Sequence, residues 1–260
     1  MKKLVVLLLF LMLLSGCGVN FPSEQANSFV TDISPETQIP SKGTGSFETD
    51  IAESALEGFP YEITYSAVTA YTDWRNLVNS SIIFELTNVG SFPLYVNQGY
   101  YELTDGEGNP VSFTGGDGSI SGWPVIIGPG EKAYYHDSVI PDLNVNSDEL
   151  TATLHPHLEP TDEINIRVDV SNLVIVDERD FGLEAIGYLT NNTNDPQNFF
   201  TVAIVIFDKS GYPIGVLDTL LAEDVLPGEK IKFSAWSSRL PPEMNTTSMS
   251  YYEVMAYPNI

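Results

Sequence analysis

The chain has 260 residues, with 35 Asp and Glu against 11 Lys and Arg, a formal charge of −24 and a single cysteine. A surface this acidic repels phosphate backbones, which argues against nucleic acid as a partner. One cysteine leaves no disulfide to brace the fold, so stability has to come from a buried apolar core.

Residues 1–16 read MKKLVVLLLFLMLLSG: two lysines, an unbroken apolar run from Leu4 to Leu14, then two small residues. This is the order of a secretory signal. A helix needs roughly 20 apolar residues to cross a bilayer, so the run predicts a leader rather than a permanent span. Leu14-Ser15-Gly16-Cys17 then resembles the lipobox of bacterial lipoproteins. That resemblance implies that Cys17 carries the lipid, palmitate included, and becomes the first residue of the mature chain. One acyl chain holds a membrane only marginally, and the additional chains that lipoprotein processing supplies make the anchor stable. The expected location is the extracytoplasmic side of the cell membrane. Loss of residues 1–16 would remove Lys2 and Lys3 and no acid, leaving nine basic against 35 acidic residues and a formal charge of −26.

Residues 17–58 are rich in Ser, Thr, Pro, Gly, Asn and acids and poor in large apolar side chains, which predicts a lipidated, mostly disordered tether. Within it Ile51, Ala55 and Leu56 share a helical face, consistent with a short helix over 48–59. From Phe59 onward the texture changes to short apolar runs broken by Gly, Pro, Asn and Asp, as in chains of many antiparallel strands. In INIRVDV (164–170) the apolar Ile164, Ile166, Val168 and Val170 alternate with polar residues, predicting a half-buried strand. KIKFSAW (230–236) shows the same alternation, with Ile231, Phe233 and Ala235 on one face. HPHLEP (155–160), with two prolines, predicts a short stiff connector.

The stretch from 59 to 260 reads as one unit written twice. LTN occurs at 86–88 and at 189–191, an offset of 103 residues. The same offset lays Asp105, Gly108 and Pro110 on Asp208, Gly211 and Pro213. PGEK at 129–132 returns at 227–230, 98 residues on, so five residues are lost in between, where the first copy carries TGGDGSISGWP (114–124). The shared residues are turn formers: Asp accepts from nearby amides, Gly takes positive φ and Pro fixes the chain direction. The predicted architecture is all-β, two tandem immunoglobulin-like antiparallel β-sandwiches over 59–158 and 159–260, each large enough to bury a core.

IVIFD (204–208), followed by KSGYPIG and LPGEKIKF, resembles the FxLYD domain, an immunoglobulin-like β-sandwich of prokaryotic surface proteins. Ile204 stands where the family motif has Phe, while Ile206, Phe207 and Asp208 match its Leu, Tyr and Asp conservatively. YELTD (101–105) is the counterpart in the first copy, with Thr104 at the Tyr position. The resemblance implies fold and location, and carries over no catalytic residue or cofactor.

Candidate chemistry is sparse. The histidines are His136, His155 and His157. His155 and His157 could face one side of an extended segment, but the neighbouring carboxylates are only Glu159 and Asp162, and the expected reading is a solvated linker with no metal. His136 is expected on a surface strand or turn. Gly118-Ser119-Ile120-Ser121-Gly122 is no nucleophile elbow, since its serines flank the central position. Asp105-Gly106-Glu107-Gly108-Asn109 lacks the glutamate of a calcium loop at its twelfth position, which is Gly116. With no general base in evident company, the chain is expected to be non-catalytic and to need no cofactor. The aromatic residues Trp123, Tyr100 and Tyr134, with Tyr101 and Tyr135 nearby, are the candidate contact residues. The expected function is protein–protein interaction at the cell envelope by a membrane-anchored pair of modules; the alternative is a glycan or small-ligand site of aromatic rings around Trp123.

Overall fold

The computed structural model describes residues 60–73, 75–96, 98–114, 117–142, 146, 149–178 and 182–258. The leader, Cys17, the tether and the helix expected over 48–59 lie outside the described residues, as do Gly115 and Gly116 of the glycine-rich loop. The described chain is all-β and built of antiparallel pairings.

The first half comprises β1 (Tyr61–Thr72), β2 (Val78–Asn88), β3 (Leu94–Val96), β4 (Gly99–Thr104), β5 (Phe113–Thr114), β6 (Ser119–Ile120), β7 (Gly122–Trp123), β8 (Ile126–Ile127), β9 (Lys132–Pro141), β10 (Thr151–His155) and β11 (Leu158–Pro160). One sheet runs β1-β2-β9-β5, with β7 also on β9; two three-stranded sheets, β10-β4-β6 and β11-β3-β8, complete this half. Ile82, Phe84, Leu86, Tyr101, Leu103 and Tyr135 belong to the core between them. The second half comprises β12 (Asp169–Glu178), β13 (Gly182–Thr190), β14 (Phe200–Phe207), β15 (Pro213–Leu221), β16 (Lys230–Trp236) and β17 (Tyr251–Pro258). These form one six-stranded sheet ordered β12-β13-β16-β15-β14-β17 around a second core that includes Leu183, Leu189, Val202, Ile204, Ile206 and Phe233.

The duplicated motifs make duplicated hydrogen bonds. Asn88 and Asn191 are fully buried, and each main chain clamps the PGEK turn of its own half. The Asn88 amide donates to the Glu131 carbonyl (3.0 Å) and Gly130 donates to the Asn88 carbonyl (2.7 Å); Asn191 pairs with Glu229 and Gly228 at the same distances. The Asn88 side chain donates to the carbonyls of Phe92 and Ile127, and that of Asn191 to those of Asp195 and Val225. Glu131 and Glu229 close their turns by accepting from the amides of Gly128 and Leu226, both at 2.9 Å. Gly130 and Gly228 hold the same φ of 78°, a conformation that costs glycine little and side-chain-bearing residues more.

The Asp turns correspond as well. Asp105 Oδ1 accepts from the amides of Glu107 and Asn109, and Asp208 Oδ1 from those of Ser210 and Tyr212. Gly108 and Gly211 follow at φ 84° and 82°. Backbone and side-chain hydrogen bonds from Asn109, with others from Glu107 and Gly108, hold the Asp105 carboxyl below its ordinary range.

Two sequence expectations are corrected. INIRVDV is not a strand throughout: β12 begins only at Asp169, and Ile164 and Ile166 are exposed at 72% and 49%. Side-chain bonds pin this stretch to the first half, Asn165 Nδ2 donating to the Ile126 carbonyl (2.6 Å) and Arg167 pairing with Glu131 (2.9 Å). The Val168 amide then donates to the Ala256 carbonyl of the second half. Alternation here follows an extended backbone held by its polar side chains, not a sheet ladder. HPHLEP is not a connector either. His155 ends β10 against β4, Leu158–Pro160 form β11 against β3, and Leu154 and Leu158 are buried in the first core. Pro156 and His157 carry the chain from one sheet to the other, and Pro160 ends β11 opposite Leu94. KIKFSAW does form β16, with Phe233 and Ala235 buried and its lysines exposed.

Candidate functional site

The main convergence of unusual side chains lies where the two halves meet. On β2 and β14 neither face is left to water: burial runs without alternation through Asn79–Leu86 and Val202–Phe207. Ile82, Phe84 and Leu86 point into the first core, so Ile83 points out of that sandwich. Val202, Ile204 and Ile206 point into the second, so Ala203, Val205 and Phe207 point out of the other. These outward residues join Tyr134, Val216, Met255 and Tyr257 in a third buried cluster, with Tyr65, Ala67, Trp123 and Val125 packed against it. Sheet therefore packs on sheet across the halves, the β1-β2-β9 face against the β14-β15-β17 face.

His136 sits at the polar centre of this seam. It projects from β9 on the same side as Tyr134 and is 1% exposed, so the expectation of a surface residue is corrected. The Val216 amide of β15 donates to Nδ1 (3.2 Å), which makes Nδ1 an acceptor and leaves the proton on Nε2. Nε2 then donates to Ser81 Oγ at 3.0 Å. Burial, with Coulombic repulsion from Arg239, lowers the His136 pKa to about 3. A serine beside a histidine suggests a nucleophile and its base, but this tautomer gives a proton to the serine oxygen instead of taking one. The pair fastens β2, β9 and β15 together.

Polar and aromatic contacts continue along the seam. Glu85 is buried and holds Lys132 Nζ (2.8 Å) and the Thr64 hydroxyl (2.7 Å). Tyr134 donates to Glu253 of β17 at 3.4 Å, and its ring meets Phe207 edge-on at 5.9 Å between centroids. Burial, and then the carboxylates of Glu253 and Glu85, push the Tyr134 hydroxyl well above its usual range, so it remains a neutral donor. Tyr65 stacks on Tyr212 at 5.0 Å, joining β1 to the Asp208 turn. Arg239 lies 5.6 Å from the Trp123 ring centroid and pairs with Asp218 at 2.8 Å.

The three aromatic residues singled out from sequence do not share a surface. Trp123 and Tyr134 are cross-strand partners on β7 and β9, but Tyr134 is buried and Trp123 is half-buried under Arg239. Tyr100 projects from β4 away from the core that Tyr101 enters, on the opposite side of the first sandwich, and stacks on His155 at 4.4 Å. His155 and His157 are placed beside Glu102 and Glu159, at 3.6 Å and 3.1 Å. Among the described residues no group of three or more His, Cys, Asp or Glu side chains is arranged to hold a metal ion. Sequence reading missed His136, Ser81, Glu85 and Val216 as a set; the available signal was consecutive apolar residues without alternation, Ile82–Phe84 and Val202–Phe207, as in strands covered on both faces. No known protein family model matches the chain, and no curated protein matches it.

Proposed function

We propose that this chain is a non-catalytic lipoprotein, held by acyl chains on Cys17 to the extracytoplasmic side of a membrane, whose two immunoglobulin-like modules of FxLYD type act as one block in protein–protein contact at the cell envelope. The observation that carries this reading is the seam. Its histidine, serine, glutamate and tyrosine are arranged as a lock between halves, with protonation states suited to holding rather than to proton transfer. The leader and the Leu14-Ser15-Gly16-Cys17 sequence support the anchor, and the repeated Asn, Asp and PGEK networks support a duplicated module.

The anchor is tested by expressing the full chain with Cys17→Ser in a lipoprotein-processing host fed a labelled fatty acid. The expected result is label and membrane fractionation for the wild type, and loss of both for the variant. Equal labelling of the two would reject lipidation at Cys17.

A further inference from the structure

The seam joins two different faces, and each half retains the face that the other one uses. The 103-residue offset and the strand registers define the correspondence: β1, β2 and β9 match β12, β13 and β16, and β4 with β10 matches β14 with β17. The first half docks through its β1-β2-β9 face and the second through its β14-β17 face. Left open are the β12-β13-β16 face of the second half and the β4-β10 face of the first. A contact between unlike faces of a repeated unit leaves one face of each kind unused, so another unit can continue it, into a ring where the rotation closes and a filament where it does not.

The open faces are chemically paired. On β12-β13-β16, Val174, Val176, Ile186, Tyr188 and Trp236 point away from the second core, with Val174, Tyr188 and Trp236 exposed at 42%, 37% and 46%. Ile186 stands where Ile83 stands in the seam, and Lys232 where Tyr134 stands. Lys230 and Lys232 put positive charge at one end of this face, Lys230 lying 4.8 Å from the Tyr188 ring centroid, while Glu184 stands at the other end opposite Trp236, bonded to Ser234. On the β4-β10 face, Tyr100, Glu102 and Thr104 occupy the places of Ala203, Val205 and Phe207, with Thr153 and His155 beside them. Glu102 and Tyr100 are exposed. The lysine end of an apolar face thus has a counterpart carrying an aromatic ring and a carboxylate.

We propose that a second copy of this chain docks head to tail, its β4-β10 face on the β12-β13-β16 face of the first, reproducing between molecules the contact that the seam makes within one. The complementary charges select the partner face and the exposed Tyr188, Trp236 and Tyr100 supply apolar burial. This deepens the protein-contact part of the reading above and does not need the lipid, so failure of self-association and failure of Cys17 labelling are separate results.

The test is sedimentation velocity of residues 17–260 carrying Cys17→Ser, at about 150 mM salt, where charges beyond ~8 Å are screened and the net repulsion is muted. The expected result is association that grows with concentration past two copies. Glu102→Lys and Lys232→Glu, both at exposed positions, should each weaken association about tenfold or more, with unchanged circular dichroism. Mixing the two variants should restore it, because each reversed face meets a reversed partner. A monomer at all concentrations, a dimer that stops at two, association indifferent to both reversals, or a mixture no stronger than either variant alone would each overturn the proposal. Binding only to some other protein would do the same.

Discussion

Replacing Asn191 by alanine is expected to cost about 3–5 kcal/mol of unfolding free energy, among the largest effects of any polar substitution in this chain. The side chain is fully buried and makes four hydrogen bonds: Nδ2 to the carbonyls of Asp195 (3.0 Å) and Val225 (2.8 Å), and Oδ1 from the Thr193 amide (3.0 Å) and hydroxyl (2.7 Å). Alanine removes all four, at about 0.5–1.5 kcal/mol each, and leaves the Thr193 amide without its acceptor, while the Val225 and Asp195 carbonyls keep the Gln197 amide and the Thr193 hydroxyl as donors. Asn88→Ala should be close behind, since that side chain makes three: to the carbonyls of Phe92 and Ile127, and from the Gly90 amide. Asn192, adjacent and exposed, is the control, and its alanine variant should stay within about 0.5 kcal/mol of wild type. Urea unfolding with unchanged slope reads all three. Losses below about 1 kcal/mol at both buried positions would mean that these amides do not bridge the strands to the turns.

That asparagine is also where sequence and structure agree best. LTN and PGEK could be aligned as repeated text, and the reason for the repetition is that one asparagine clamps one turn in each half. The all-β class and the alternating face of KIKFSAW were legible because each depends on local spacing. INIRVDV misled because period two marks extended backbone, and backbone can be held extended by Asn165 and Arg167 without a neighbouring strand. The seam was illegible for a different reason. Ile83 and Val205 look like ordinary core residues, and nothing near them in sequence says that their faces meet across more than a hundred residues. His136 reads as a surface residue because it follows the strand starting near Lys132 and precedes Asp137, whereas its surroundings come from β15, 80 residues away. Tyr134, a candidate for contact with a ligand or partner by sequence, packs instead against Phe207 and Glu253 of the same chain.

Acid should open the seam before carboxylate protonation unfolds the rest. His136 ordinarily titrates near 6.5 and is lowered to about 3 in the folded chain by burial and by the Arg239 charge. A histidine whose folded pKa is depressed binds its proton in the unfolded state first. Stability is therefore fully retained above about pH 6.5 and falls as pH drops from there to about 3, by roughly 1.4 kcal/mol per unit. The structural cause is specific. A second proton on the imidazole must go to Nδ1, which faces the Val216 amide, so protonation replaces a hydrogen bond with donor facing donor between β9 and β15. Carboxylates titrate in the lower part of this window, so the wild-type curve alone does not isolate the histidine. The measurement is unfolding free energy between pH 7 and pH 4 for wild type and His136→Gln, an uncharged side chain with one donor and one acceptor. At pH 7 the variant should be less stable by about 1–2 kcal/mol for imperfect replacement of the two hydrogen bonds. Toward pH 4 it should lose stability less steeply, by roughly 1.4 kcal/mol per unit, so that the curves cross. Parallel curves would show that His136 is as free to protonate in the folded chain as in the unfolded one, which its place between Val216 and Ser81 does not allow.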